Sequence, residues 1–275
     1  MDLPLTELQE MGALPGLDMQ FVMQNLAQLF LASLRIGAFL ISAPFFGGSF
    51  VPLQVKIIIS VLLGVSVMSI VDVPPIESLD QMRILAVVCT EIVIGVAAGL
   101  ILTIWFSAAQ LAGEKIATSA GLGYAAQIDP EGGGQTPVVS KMLQMFMTVI
   151  FLSMNGHLVV LRTIMESYKQ LPVGKTPHFG ALIEGGISAA GHMFMAATLI
   201  MLPIGITLLL VNLAIGVMTK SAPQLNLFSF GFPITLLGVF ILLYLSVDSI
   251  AFSLNGLAIS AMDNLEVVMG RAIYG

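Results

Sequence analysis

Charge is scarce in this chain: Lys, Arg, Asp and Glu together make up 9% of 275 residues, against about 25% in an ordinary soluble domain. With 57% of residues hydrophobic, too few polar groups remain to cover a globule, so the apolar excess must face lipid or other subunits. The same hydrophobicity excludes a disordered chain. Ten Lys plus Arg stand against sixteen Asp plus Glu, a net charge of -6. No basic run occurs, so neither nucleic acid nor acidic substrates are expected partners. Cysteine is nearly missing: Cys89 alone permits no internal disulfide and no Cys-based metal site, and we read it as small apolar filler. A signal peptide's basic start is lacking too. The first Lys or Arg is Arg35, preceded by Asp2, Glu7, Glu10 and Asp18, so the N-terminus is expected to be kept. With no N-x-[ST] acceptor and no basic tail, the compartment reads only as a membrane.

Six apolar segments lie between turn signals: Leu26 to Phe46, Ile57 to Val71, Ile84 to Ala112, Met142 to Leu161, Ile187 to Thr219 and Phe228 to Met262. Their length, their lack of alternation and their Leu, Ala and Met content predict helices, hence an all-α, membrane-associated fold. A crossing of about 30 Å needs about 20 apolar residues, and several segments do not meet this cleanly. Ile57 to Val71 is short, and Asn155-Gly156-His157 breaks Met142 to Leu161. Ile187 to Thr219 is too long for one crossing and carries Pro203, a hinge expected to kink it or to split it into half-helices. The last segment holds Asp248 deep inside. Positive charge gives no orientation: Lys56, Lys115, Lys141 and Lys220 would lie on one side, Arg83, Arg162, Lys169, Lys175 and Arg271 on the other.

The stretch Gly113 to Lys141 differs from the short turns elsewhere. It is a mostly uncharged, glycine-punctuated loop between membrane-grade helices, with few reasons to sit in water, and is singled out as the functional segment.

Arg35, Glu91, Asn212 and Asp248 each fall inside an apolar run, where a lone ion costs at least about 2.5 kcal/mol. They read as helix-pairing groups ahead of a proton relay, being spread over four segments. After Glu91, Gly95, Gly99, Thr103 and Ser107 form a small-xxx-small stripe that lets another helix approach closely. Asp248 and Asn255 share one helix face, an expected interface. Other apparent motifs lack their context. Gly186 to His192 resembles a hydrolase elbow with its second glycine misplaced. Gly174-Lys175-Thr176 follows no strand. His157 and His178 have no partner at metal spacing. The seventeen Met read as core filler that, taken together, suits a deformable seal.

The order Arg35, Ser42-Ala43-Pro44, Val51-Pro52, Lys56, Glu91 with Gly95, Ala112-Gly113-Glu114, Gly121-Leu122, Asp129-Pro130, Asn155-Gly156-His157, Leu171-Pro172, Ala222-Pro223-Gln224-Leu225-Asn226 and Gly231-Phe232-Pro233 resembles the FliR family of flagellar export proteins and their injectisome counterparts, the SctT proteins. The resemblance covers nearly the whole chain. It implies a non-enzymatic, cofactor-free subunit of a type III secretion export gate in the bacterial inner membrane, at the flagellar basal body. The implied partners are FliP-like, FliQ-like and FlhB-like subunits, an FlhA-like export protein nearby, and unfolded export substrates. The implied fold is a FliP-like part (about 1-185, with a plug loop at 113-141) fused to a FliQ-like part (about 186-275), its hairpins lying largely above the bilayer. Gly121, Leu122, Gly123, Tyr124, Ala125, Ala126, Gln127, Ile128, Asp129 and Pro130 match the loop that reaches into the pore in such relatives. Tyr124 stands where phenylalanine is more usual, and Gly132, Gly133 and Gly134 would be the hinge. Arg35, Glu91, Gly95, Gly99, Glu114, Lys115, Asn212, Asp248 and Asn255 are then buried polar or interface residues. The alternatives are an injectisome gate subunit and, from another class, an ion-coupled secondary transporter with Glu91 and Asp248 as ion sites and Pro203 as the helix break. The absence of an internal repeat counts against the transporter.

Overall fold

A computed structural model describes residues 19-48, 51-75, 80-121, 137-222 and 231-274. The described residues are helical between short turns and contain no strand. The helices are α1 (Met19–Ser42), α2 (Leu53–Met68), α3 (Gln81–Ser119), α4 (Val138–Ser153), α5 (Gly156–Gln170), α6 (Phe179–Ser221), α7 (Phe232–Leu245) and α8 (Val247–Tyr274). Pro52 and Pro137 sit at the N-caps of α2 and α4, and Pro233 opens α7, positions where a missing N–H costs nothing. α1 from Phe21, α3 and α6 are each long and apolar enough to cross a membrane.

Two helix pairs are bent. α4 and α5 meet at 68° and α7 and α8 at 65°. The first break falls at the expected Asn155-Gly156-His157. Asn155 adopts φ 57°, a left-handed conformation that Asn tolerates and that ends a helix. The second, at Ser246, lies within a segment drawn above as continuous. It puts Asp248 in the first turn of α8, where an acid complements the helix dipole, and not deep inside an apolar run. Pro203, by contrast, does not divide α6 into half-helices. One absent N–H in 43 residues leaves the remaining ladder to hold the helix. The stretch 113-141 is also shorter as a loop than expected, because α3 runs on to Ser119 and α4 begins at Val138.

The chain divides into two compact units, Met1–Gly99 with Ile164–His178, and Leu100–Thr163 with Phe179–Gly275. In the first, α2 is apolar outward and small or polar inward. Its buried residues are Lys56, Ser60, Gly64 and Val67, while Ile57, Ile58, Val61, Leu62 and Val65 are exposed. Small residues allow close approach: a Cβ on Gly64 would lie 3.3 Å from the Ser33 Cβ, and one on Gly37 3.6 Å from the Ser60 Cβ. α1 also crosses α3 at Gly95 and Gly99. A Cβ on Gly95 would collide with the Arg35 carbonyl and one on Gly99 with Ser42 Oγ.

In the second unit, Gly113 of α3 lies on the backbone of Ser140 in α4, with room for no side chain. Phe106 meets Phe151 edge-on at 5.1 Å, and Phe151 covers Gly156 at the first break. Gly185 of α6 packs on Val268 of α8, which a Cβ would meet at 2.6 Å.

Candidate functional site

Within the first unit, Arg35 reaches Glu91 of α3 and the end of α5. Its Nε donates to Glu91 Oε2 at 2.8 Å and its Nη2 to Oε1 at 3.1 Å, the bidentate geometry that a planar guanidinium favours. Nη2 also donates to the Leu171 carbonyl at 3.0 Å and Nη1 to Ser167 Oγ at 2.9 Å. Four of the five guanidinium donors are thus taken. The fixed charge stands at the C-terminal end of α5, where the helix dipole favours a cation. The Tyr168 ring lies 4.1 Å beneath Cζ, and its hydroxyl donates to the Ala32 carbonyl at 2.7 Å. Arg35, Glu91 and Tyr168 have no exposed surface.

This arrangement locks helices. Two charges are removed from water together, so the pair contributes little net stability, yet losing either partner strands the other. Arginine does not release its proton, which makes it a poor relay element. Gly95, one turn beyond Glu91, brings the α1 backbone close enough for this contact. The cover over the buried ions and glycines therefore comes from the chain's own α1.

A second constellation, in the second unit, lies where α3 ends. Gly121 takes φ 80°, a left-handed C-terminal stop. The last carbonyls of such a helix lack intrahelical partners. Here the Asn212 side chain of α6 donates to the Ser119 carbonyl at 3.0 Å, and Thr235 Oγ1 of α7 donates to the Ala120 carbonyl at 3.2 Å. The glycine-rich stretch thus departs from a tethered end. Leu122, Gly123, Tyr124, Ala125, Ala126, Gln127, Ile128, Asp129 and Pro130, with Gly132, Gly133 and Gly134, lie outside the described residues.

The structure joins Arg35 with Glu91 and sets Gly95 and Gly99 beside them on α3. Glu114 and Lys115 are exposed on α3, and Asn212, Asp248 and Asn255 are exposed as well. Glu91 belongs to the first unit and Asp248 to the second. Sequence reasoning missed Ser167, Tyr168 and Thr235, and also the facing pairs Ser33/Gly37 and Ser60/Gly64. These last carried a readable signal, two small-xxx-small steps in adjacent apolar helices. No group of three or more His, Cys, Asp or Glu among the described residues is placed to hold a metal.

A chain of apolar helices that turns its buried charges to internal packing is an all-α membrane protein. The pattern of the bacterial export proteins, family 1, matches residues 26–259, and the chain belongs to that family. It is 31% identical over 230 residues to the flagellar biosynthetic protein FliR of Aquifex aeolicus, covering 84% of this chain and 89% of that one. To FliR of Pectobacterium carotovorum it is 34% identical over 212 residues, 76% and 80% of the two chains. It is also 29% identical over 164 residues to the surface presentation of antigens protein SpaR of Shigella flexneri, 59% and 63%.

Proposed function

We infer that the chain is a non-enzymatic subunit of the flagellar type III export gate in the bacterial inner membrane. It closes a pore assembly with FliP-like, FliQ-like and FlhB-like subunits, near an FlhA-like export protein. The glycine-rich segment Gly121 to Pro130 gates the passage of unfolded export substrates, swinging on Gly132 to Gly134.

One observation beyond the family carries the need for partner subunits. Exposed apolar residues run along α6 from Ile183 through Phe194, Leu199, Ile206 and Leu213 to Met218, which is about 52 Å at the helical rise. The hydrocarbon core is about 30 Å thick. Even the extreme tilt of about 40° leaves about 40 Å along the normal. Lipid covers only part of that length, and protein must cover the rest. The tethered end of α3 supports the gating part, because a loop that seals a pore needs a fixed base.

Flagellar export is preferred over an injectisome because the FliR proteins of Aquifex aeolicus and Pectobacterium carotovorum align over 84% and 76% of the chain, and SpaR over 59%. The test is an assembled gate lacking residues 121–128, or carrying Tyr124→Ala, in a planar bilayer. Ion leak in the idle state is expected, and unchanged conductance removes the loop from gating. Restored swimming in a strain without its own FliR decides the flagellar assignment.

A further inference from the structure

Among the described residues, one crevice combines a mainly apolar lining with a histidine and two serines. It holds about 300 Å³ between α6 and α8, with Trp105 of α3 at its wall, and lies wholly within the second unit. α6 and α8 run antiparallel here, since Gly185 touches Val268 and residues 192–200 face 253–260. The crevice is therefore about 12 Å long, eight residues of helix. Its two ends differ chemically. At one, His192 stands near Ser260. At the other lie Leu199 and Ile200 opposite Ser253, with the buried Leu257 between the two ends. Ser253 adds little polarity, as its hydroxyl donates to the Ser249 carbonyl of its own helix at 2.9 Å.

The polar end is organised. The His192 ring stacks on Trp105 with centroids 5.6 Å apart and planes 13° from parallel. Trp105 is in turn fixed by its indole N–H, which donates to Asn264 Oδ1 at 3.3 Å. The imidazole plane is thereby set, and neither its nitrogens nor the Ser260 hydroxyl has a partner among the described residues. No Lys, Arg, Asp or Glu lines the space. Its occupant is consequently an uncharged hydrogen-bonding group at the head of an alkyl chain.

The geometry points to a membrane phospholipid held here by one acyl chain. The alkyl part lies along Leu199, Ile200 and Leu257, and the ester carbonyl accepts a hydrogen bond from His192 or Ser260. A side chain of a partner helix would fill a compact hole. An elongated slot with a polar end and an apolar end fits an acyl ester better. Because no cation lines the site, recognition falls on the ester region, and the phosphate-bearing headgroup stays outside.

The test uses the export assembly purified from membranes, with lipid occupancy measured by native mass spectrometry and by extraction. The wild type should retain one phospholipid at this site. His192→Leu with Ser260→Val, and separately Ala196→Phe, which fills the slot, should each lower that occupancy about tenfold while the assembly stays intact. In discs of phosphatidylethanolamine or phosphatidylglycerol the retained amount should be equal. Equal retention in all variants overturns the proposal, as does retention of phosphatidylglycerol alone. A photo-reactive residue at Met195 that captures a partner subunit and no lipid also overturns it. A variant that fails to assemble is replaced by Ser260→Val alone, for which a reduced occupancy of the same sign is required.

Discussion

Arg35 and Glu91, 56 residues apart in sequence, meet through two parallel hydrogen bonds of 2.8 and 3.1 Å, with no exposed surface on either side chain. That relationship separates a structural charge from a working one. Arg35→Met or Glu91→Leu alone leaves its partner buried and unpaired, at a cost of about 3–5 kcal/mol. The double replacement should restore most of that loss, because an apolar pair of similar size is often neutral or stabilising. Thermal unfolding of the four purified proteins measures the cycle. A double variant that assembles normally yet exports nothing would return Glu91 to a proton-carrying role.

Much of the fold was legible because long apolar runs rich in Leu and Ala have few alternatives to helix. The break at Asn155-Gly156-His157 announced itself through residues that tolerate left-handed backbone. The break at Ser246 did not, since Leu245-Ser246-Val247 contains neither Gly nor Pro. Gly113 misled for a related reason. It looks like the start of a loop but is a contact glycine, cleared for the Ser140 backbone inside a helix that continues to Ser119. Arg35 and Glu91 were each visible as ions in apolar surroundings. Their pairing was not, because a local pattern carries no information on which helices cross.

The glycines sort into two kinds, and alanine should separate them by sign. Gly95→Ala and Gly99→Ala drive a methyl into α1, with a loss of about 1–3 kcal/mol. Gly186 and Gly191 of α6 face open space in the isolated chain. Alanine there should stabilise the helix by up to about 1 kcal/mol. Melting temperatures of the four single variants provide the comparison, and equal shifts would contradict the crossing.

Asn155 holds φ 57° at the break between α4 and α5. Asn155→Gly should be neutral or slightly stabilising, since glycine enters that region without a Cβ penalty. Asn155→Ala should cost about 1–2 kcal/mol. Urea denaturation resolves a difference of that size. Equal stability of the Gly and Ala variants would mean that the elbow does not require left-handed backbone.

Asn212 and Thr235 tie down the last turn of α3, and their removal should loosen that turn before it affects anything else. Asn212→Leu and Thr235→Val each remove one donor from a terminal carbonyl, worth about 0.5–1.5 kcal/mol apiece. Hydrogen exchange in a peptide covering Ile116 to Gly121 should rise several-fold in either variant. It should rise further in the pair, because the two bonds engage consecutive carbonyls. Exchange near Arg35 belongs to a different cluster and should stay unchanged. If the exchange does increase while the idle gate stays closed, the tethers serve the helix end alone, and the loop is sealed by contacts of its own.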